Sequence, residues 1–238
     1  MAGAHPLDRP IWTALTTQQE HLAEINGPAR RYPPDIAPFA DVEDFSETSF
    51  LALYELTQPG EPVALFTPEP VSPPAQFDVA MAATGEQMVG VPADMKLEGI
   101  EIVTLGAADV AEMAELIALT NPGPFAARTH ELGTFLGIRI GGRLVAITGE
   151  RMRPANFVEM TSVCVHPGHR GNGYAQALLA AVGRGIVARG EQPMLHVFSS
   201  NASAIALYQR QGMGIRRRLH VTILTRAGDT QAFDKLPH

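Results

Sequence analysis

One stretch constrains this 238-residue chain more than any other, the run from Asn156 to Val182. Asn156-Phe-Val-Glu-Met-Thr-Ser-Val-Cys-Val165 is rich in apolar and β-branched residues and predicts a strand. From Tyr174 to about Arg189 alanine and leucine recur at helical spacing, which predicts a helix. Between them lie a Pro167-Gly168 turn and the loop Arg170-Gly-Asn-Gly173. A helix start presents unpartnered N–H groups and partial positive charge, and so favours an anion. Gly171 and Gly173 lack Cβ, so several amides can turn toward one phosphate group, and Arg170 adds a cation. The local prediction is a pyrophosphate cradle on a strand–loop–helix unit. No Lys-Ser/Thr follows the glycines, which argues against a nucleotide P-loop, and no G-x-G-x-x-G spacing supports a dinucleotide fold.

Arg170-Gly-Asn-Gly-Tyr-Ala175 resembles the R/Q-x-x-G-x-G/A signature of the GNAT superfamily of acyl-CoA N-acyltransferases. Asn201-Ala-Ser-Ala-Ile-Ala-Leu-Tyr208-Gln-Arg-Gln-Gly-Met213 resembles the N-x-x-A-x-x-L-Y-x-x-x-G-F segment of the same family. The wording Val-Cys-x-His-Pro…Arg-Gly-x-Gly-Tyr-Ala is similar to the FR47-like subgroup. The resemblance spans about residues 100–226 and departs from pattern at Ala175, for a glycine, and at Met213, for a phenylalanine. It implies an α/β (α+β) GNAT fold, with a central mixed, mostly antiparallel sheet, flanking helices and the element order β-α-β-β-β-α-β-α-β. The implied activity is acetyl transfer from acetyl-CoA to a primary amine by direct attack in a ternary complex. Further implied is that the backbone of Val163, Cys164 and Val165 pairs with the pantetheine amides. The cradle of Arg170, Gly171, Asn172, Gly173, Tyr174 and Ala175 would take the pyrophosphate. Asn201 falls at a cofactor contact, Tyr208 at the general acid, and Glu159 at the base glutamate of histone-acetyltransferase members.

The residues themselves leave alternatives beside these roles. A phenol is protonated at neutral pH and has a proton for a departing thiolate, yet Tyr208 also suits packing against Leu207. Asn201 also suits a helix N-cap. Strict alternation puts Glu159, Thr161, Val163 and Val165 on one face unless a bulge intervenes. A carboxylate in so apolar a strand is expected to have a raised pKa, unless it pairs with Arg139 or Arg151. His196 reads as a satisfied core histidine before it reads as a base. Cys164 reads as a small buried hydrophobe before it reads as a nucleophile. His166 and His169 lack a third ligand at metal spacing, so no metal site is expected. Arg216-Arg-Arg218 reads as a solvated charge run.

A formal charge of −7 argues against nucleic-acid or anionic-membrane partners and fits a small-molecule amine acceptor, cationic amines included. A single cysteine, no secretory signal and no apolar run of spanning length lead to a cytoplasmic expectation. Residues 99–238 are expected to form the acetyltransferase domain. Residues 1–98 stay open between a degenerate, acyl-CoA-free GNAT half and a scaffold covering one side of that domain. Within them, Ile11–Ile25 is expected to be helical, and Gln87–Val91 a short strand. Ser49–Leu56 and Pro62–Phe66 are expected as paired strands around the Pro59-Gly60 turn. Downstream, strands are expected at Ile100–Leu105, Gly133–Ile140, Arg143–Met152, Pro193–Phe198 and Arg217–Thr225. Helices are expected after Asp109 as N-cap and after Asn201. Two functional alternatives stand beside acetyl transfer, an acyl-CoA-binding module without turnover and transfer of a longer acyl chain.

Overall fold

The computed structural model describes residues 5–95 and 97–228. The first helix, α1 (Pro10–Leu15), is short, and the helix expected to run on to Ile25 is cut. The hydroxyls of Thr16 and Thr17 turn back onto the Trp12 and Thr13 carbonyls, and the polar run to Glu20 offers no apolar face to bury. Then β1 (Glu24–Asn26), β2 (Ala29–Arg31) and β3 (Ala40–Val42) form a small three-stranded antiparallel sheet.

A helix, α2 (Glu47–Leu56), stands where a strand was expected. The run Phe50–Tyr54 is continuously apolar, so periodicity alone does not separate the two. The Ser46 hydroxyl decides it by accepting the Ser49 N–H at 3.3 Å, an N-cap that leaves Phe50 and Leu53 on the buried face. After β4 (Val63–Thr67) comes β5 (Phe77–Val89), a 13-residue strand of which the expected short strand is only the end.

From there the chain runs β6 (Ile102–Leu105), α3 (Val110–Thr120), β7 (Phe135–Ile140), β8 (Arg143–Glu150) and β9 (Phe157–Val165). It ends with α4 (Tyr174–Ala188), β10 (Gln192–Phe198), α5 (Ala202–Arg210) and β11 (Gly214–Arg226). This is the expected β-α-β-β-β-α-β-α-β order. Asp109 takes the expected N-cap position of α3 but makes no side-chain cap bond there; its carboxylate instead accepts the Gly106 N–H at 2.9 Å and pairs with Arg139.

Eight strands form one sheet in the order β4-β11-β5-β10-β9-β8-β7-β6, antiparallel throughout except for β9 with β10. Helix α4 buries Leu179, Val182 and Ile186 against Val158 and Met160. Helix α3 buries Met113 and Leu116 against Phe135 and Ile147. No helix of the described residues is long and apolar enough to cross a membrane.

Residues 1–98 and the rest share this sheet. Strand β5 lies hydrogen-bonded between β10 and β11, and β4 forms the edge beyond β11. Ile11, Leu15, Tyr32 and Phe39 pack in one core with Leu132, Met152 and Leu219. The Gln19 amide donates to the Arg151 carbonyl at 2.9 Å. A chain of residues 99–238 would expose one backbone edge of β10 and both edges of β11, and lose that core. It is expected to be insoluble or to give no cooperative thermal transition, whereas the full chain unfolds in a single one; circular dichroism on both checks this.

Candidate active site

The site grows from a divergence in the sheet. Strands β9 and β10 pair over only three residues, ending at Met194 opposite Glu159. Beyond that point β10 follows β5, while β9 stays with β8. The β10-facing backbone of β9 from Met160 to Val165 is left without a strand partner, so its N–H and C=O groups can pair with a ligand. A cavity of about 600 Å³ fills the wedge. Its walls come from β9 (Met160–Val163), β10 (His196–Phe198) and α5 (Ala204, Tyr208), closed by the Asn121-Pro-Gly-Pro124 turn after α3.

A β-bulge shapes the β9 wall. The register against β8 slips between Ile147 and Gly149, and Ser162 takes φ 54°. This corrects the expected alternation. Thr161 and Glu159 lie on one face, but after the bulge Cys164 packs with the α3 core while Val163 joins the α4 side. Cys164 is a buried thiol that burial pushes up to about 11, and it behaves as core.

Glu159 is fully buried, and both of its oxygens are engaged. Arg151 Nε donates to Oε2 at 2.8 Å and Arg151 Nη2 to Oε1 at 2.7 Å, a bidentate pair. His196 Nδ1 meets Oε1 at 2.8 Å. Burial alone would push the carboxyl up, but the Arg151 charge and the hydrogen bonds from Arg151 and His196 outweigh it and hold the group at about 2. The expected raised pKa is thus reversed, because a paired cation sits where the apolar pattern suggested none. A carboxylate so held is a poor proton acceptor.

His196 is equally committed. Gln87 accepts from Arg216 Nη1 at 2.8 Å through Oε1 and donates to the Leu7 carbonyl at 2.9 Å through Nε2. These contacts fix the amide, so Nε2 is also the donor to His196 Nε2 at 3.0 Å. The imidazole proton therefore sits on Nδ1, facing Glu159.

Tyr208 is buried along its ring, and among the described residues its hydroxyl has no hydrogen-bond partner; the side chain lines the cavity. Burial, with a smaller contribution from the Cys164 thiol, pushes the phenol up to about 12. Asn201 caps α5, Oδ1 accepting the Ala204 N–H at 3.1 Å, and also lines the cavity. The Arg170–Ala175 loop lies at the end of β9. Gly171 and Gly173 adopt φ +82° and +77°, conformations that L side chains rarely take. Around Gly171 a Cβ would meet nothing within 4 Å, whereas at Gly173 it would meet Met95 Cε at 2.7 Å. The Asn172 amide closes the loop onto the His169 carbonyl at 2.9 Å, and Arg170 is exposed without a side-chain partner among the described residues. The open loop at the start of α4 and the free β9 edge fit a phosphate-bearing, amide-containing ligand.

The sequence did not reveal the third wall, made by Phe39, Phe66 and Met81 with Leu219, Val221 and Ile223. It named Arg151 only as a partner for Glu159, yet Arg151 lines the cavity and lies over the Phe39 ring at 4.5 Å. The charge run Arg216–Arg218 is paired with Asp8 and Glu86.

Comparison with known proteins agrees with this geometry. Residues 135–232 match the family model described as FR47-like protein. A crystal structure from Novosphingobium aromaticivorans, assigned as an acetyltransferase of the GNAT family, is 42% identical over 94% of this chain and 99% of its own, with a TM-score of 0.86. A GCN5-related N-acetyltransferase from Kribbella flavida shares the fold at 14% identity and a TM-score of 0.61, over 92% of this chain and 96% of its own. No match was found among curated proteins. The chain belongs to the GNAT acetyltransferase superfamily and carries its FR47-like segment.

The Glu159 pair sets an acid limit on stability. Its folded pKa is depressed, so its contribution is complete above the unfolded value near 4.5 and is lost as pH falls through the folded value near 2. Urea midpoints of the wild type should drop between these limits. Glu159→Gln should be weaker at neutral pH by about 3–5 kcal/mol, since it strands a buried guanidinium, and its midpoints should show less of that acid slope.

Proposed function

We propose that the chain is an N-acetyltransferase that takes its acyl group from acetyl-CoA and gives it to a primary amine inside the cavity. The observation that carries this reading is the wedge between β9 and β10, open along the β9 backbone and ending at the glycine loop and the start of α4. Val163, Cys164 and Val165 would pair through their backbone with the pantetheine amides. Arg170 to Ala175 would hold the pyrophosphate, with Asn201 at the cavity side. Acetyl-CoA supplies the acetyl group activated as a thioester.

Within the cavity the chain's own groups position and protonate. The amine nitrogen forms a bond to the acetyl carbon as the carbon–sulfur bond breaks. Tyr208 gives its phenolic proton to the sulfur, and the proton lost from nitrogen leaves through water at the cavity mouth. Because the phenol lies near 12, it stays protonated across the working range. Glu159 serves as an anchor, holding Arg151 and His196 in place with both its oxygens.

Calorimetric titration with acetyl-CoA tests the reading directly. Wild type should bind at micromolar concentration. Gly173→Glu should lose binding while keeping its overall fold by circular dichroism, because a side chain at φ +77° strains the loop and its carboxylate repels the pyrophosphate. Silence of the wild type toward acetyl-CoA and longer acyl-CoAs would overturn the proposal. Tyr208→Phe should bind acetyl-CoA normally but release CoA thiol about 10²-fold more slowly with a working amine. Binding without thiol release from any amine would mark a binding module instead.

A further inference from the structure

We infer that the acceptor is a free α-amino acid with an apolar or aromatic side chain, recognised through its carboxylate by Arg151; this rests on the acetyltransferase reading above. Arg151 is 92% buried at its side chain and spends Nε and Nη2 on Glu159. Its Nη1 has no hydrogen-bond partner among the described residues and is not one of the enclosed, unpartnered polar atoms. The side chain lines the cavity, so this nitrogen opens into it. A guanidinium edge fixed by a carboxylate and by the Phe39 ring is a preorganised donor for an anion.

The rest of the lining decides what the anion is attached to. Phe39 and Phe66 meet edge to face at 5.4 Å, and Phe66 meets the His196 ring at 4.9 Å. With Met81 and Val221 they make an apolar wall suited to one hydrocarbon or aromatic side chain. Among the described residues that line the cavity, none is a carboxylate. A polyamine or aminoglycoside would bring several cations past Arg151 with no counter-charge, which the wall disfavours. The chain's acidic balance therefore does not carry over to this pocket. An α-amino acid presents all three required parts, a nucleophilic amine, a carboxylate and a side chain.

Thiol release from acetyl-CoA by wild type tests this with matched acceptors. L-Phenylalanine and L-leucine should exceed 2-phenylethylamine and isoamylamine in kcat/KM by at least about tenfold. The amino-acid amides should fall with the amines, and spermidine should be inactive. Arg151→Lys, which keeps a cation for Glu159, should lose that tenfold preference while acetyl-CoA binding by calorimetry is retained. A double variant, Arg151→Met with Glu159→Gln, removes both charges and should also lose it if the lysine variant fails to fold. Equal or better turnover of the decarboxylated amines or of spermidine would overturn the acceptor class and leave acetyl transfer standing. So would turnover of other amines with no turnover of any amino acid, whereas octanoyl-CoA as the better donor would overturn the acetyl group of the reading above and not the acceptor. Loss of acetyl-CoA binding itself would instead sink the underlying reading.

Discussion

The carboxylate of Glu159 sits at the last rung where β9 and β10 still pair, and the geometry of the site depends on it. From it, hydrogen bonds run to Arg151 after β8, to His196 on β10, and through Gln87 on β5 to Arg216 on β11 and Asp8. One polar chain, buried at Glu159 and Gln87, thus ties four adjacent strands at the apex of the wedge. Burying a charge is costly unless it is paired and its other lone pairs are filled, and here both conditions hold. A hydrophobic residue at this position would pack without specifying where β10 leaves β9. The ionic chain lies at the separation point, at the apex of the cavity.

The same chain of contacts gives the N-terminal residues their purpose. Strand β5 fills the place between β10 and β11, and Gln87 on that strand orients His196. Phe39, Phe66 and Met81 then face across the cavity toward β9 and α5. Sheet continuity and one cavity wall come from the same segment. The part of the sequence without any recognisable motif is therefore the part that shapes one wall of the cavity, while the β9 edge shapes another.

This division explains what could be read in advance. The strand–loop–helix around Arg170–Ala175, the hairpin at Gly141-Gly142 and the order of elements after residue 99 are local features. They are written in glycine placement and in periods of two and 3.6. Tyr208 and Asn201 followed from their places in a second local motif. The pairing of β5 was not legible, because nothing in a strand of mixed polarity names its neighbours. Nor was the helix at Glu47–Leu56, where an unbroken apolar run hid the period and only the Ser46 cap distinguished the outcome. The Glu159 pKa was misread for a related reason. Its sign depends on Arg151, eight positions away along the chain but bidentate in space. The bulge at Ser162 then reversed the facing of every β9 residue beyond it.

Charge shows most plainly why whole-chain quantities do not describe a site. The formal −7 suggested an affinity for cations, yet many of the carboxylates are spent locally. Asp109 and Glu112 hold Arg139, Glu150 and Glu191 hold Arg189, Asp8 holds Arg216 and Arg217, and Glu86 holds Arg218. Within the cavity the balance is set by a single pair whose acid is enclosed and whose base keeps one edge outward. An ion pair of zero net charge still has a direction. Glu159 is sealed in the sheet and Arg151 opens to the lumen, so what a ligand meets is the positive end of a dipole. Low dielectric surroundings strengthen that field, and the Phe39 face below the guanidinium keeps water from competing along one side. The protein as a whole is acidic, but among the described residues that line the cavity the one Lys, Arg, Asp or Glu is the cation Arg151.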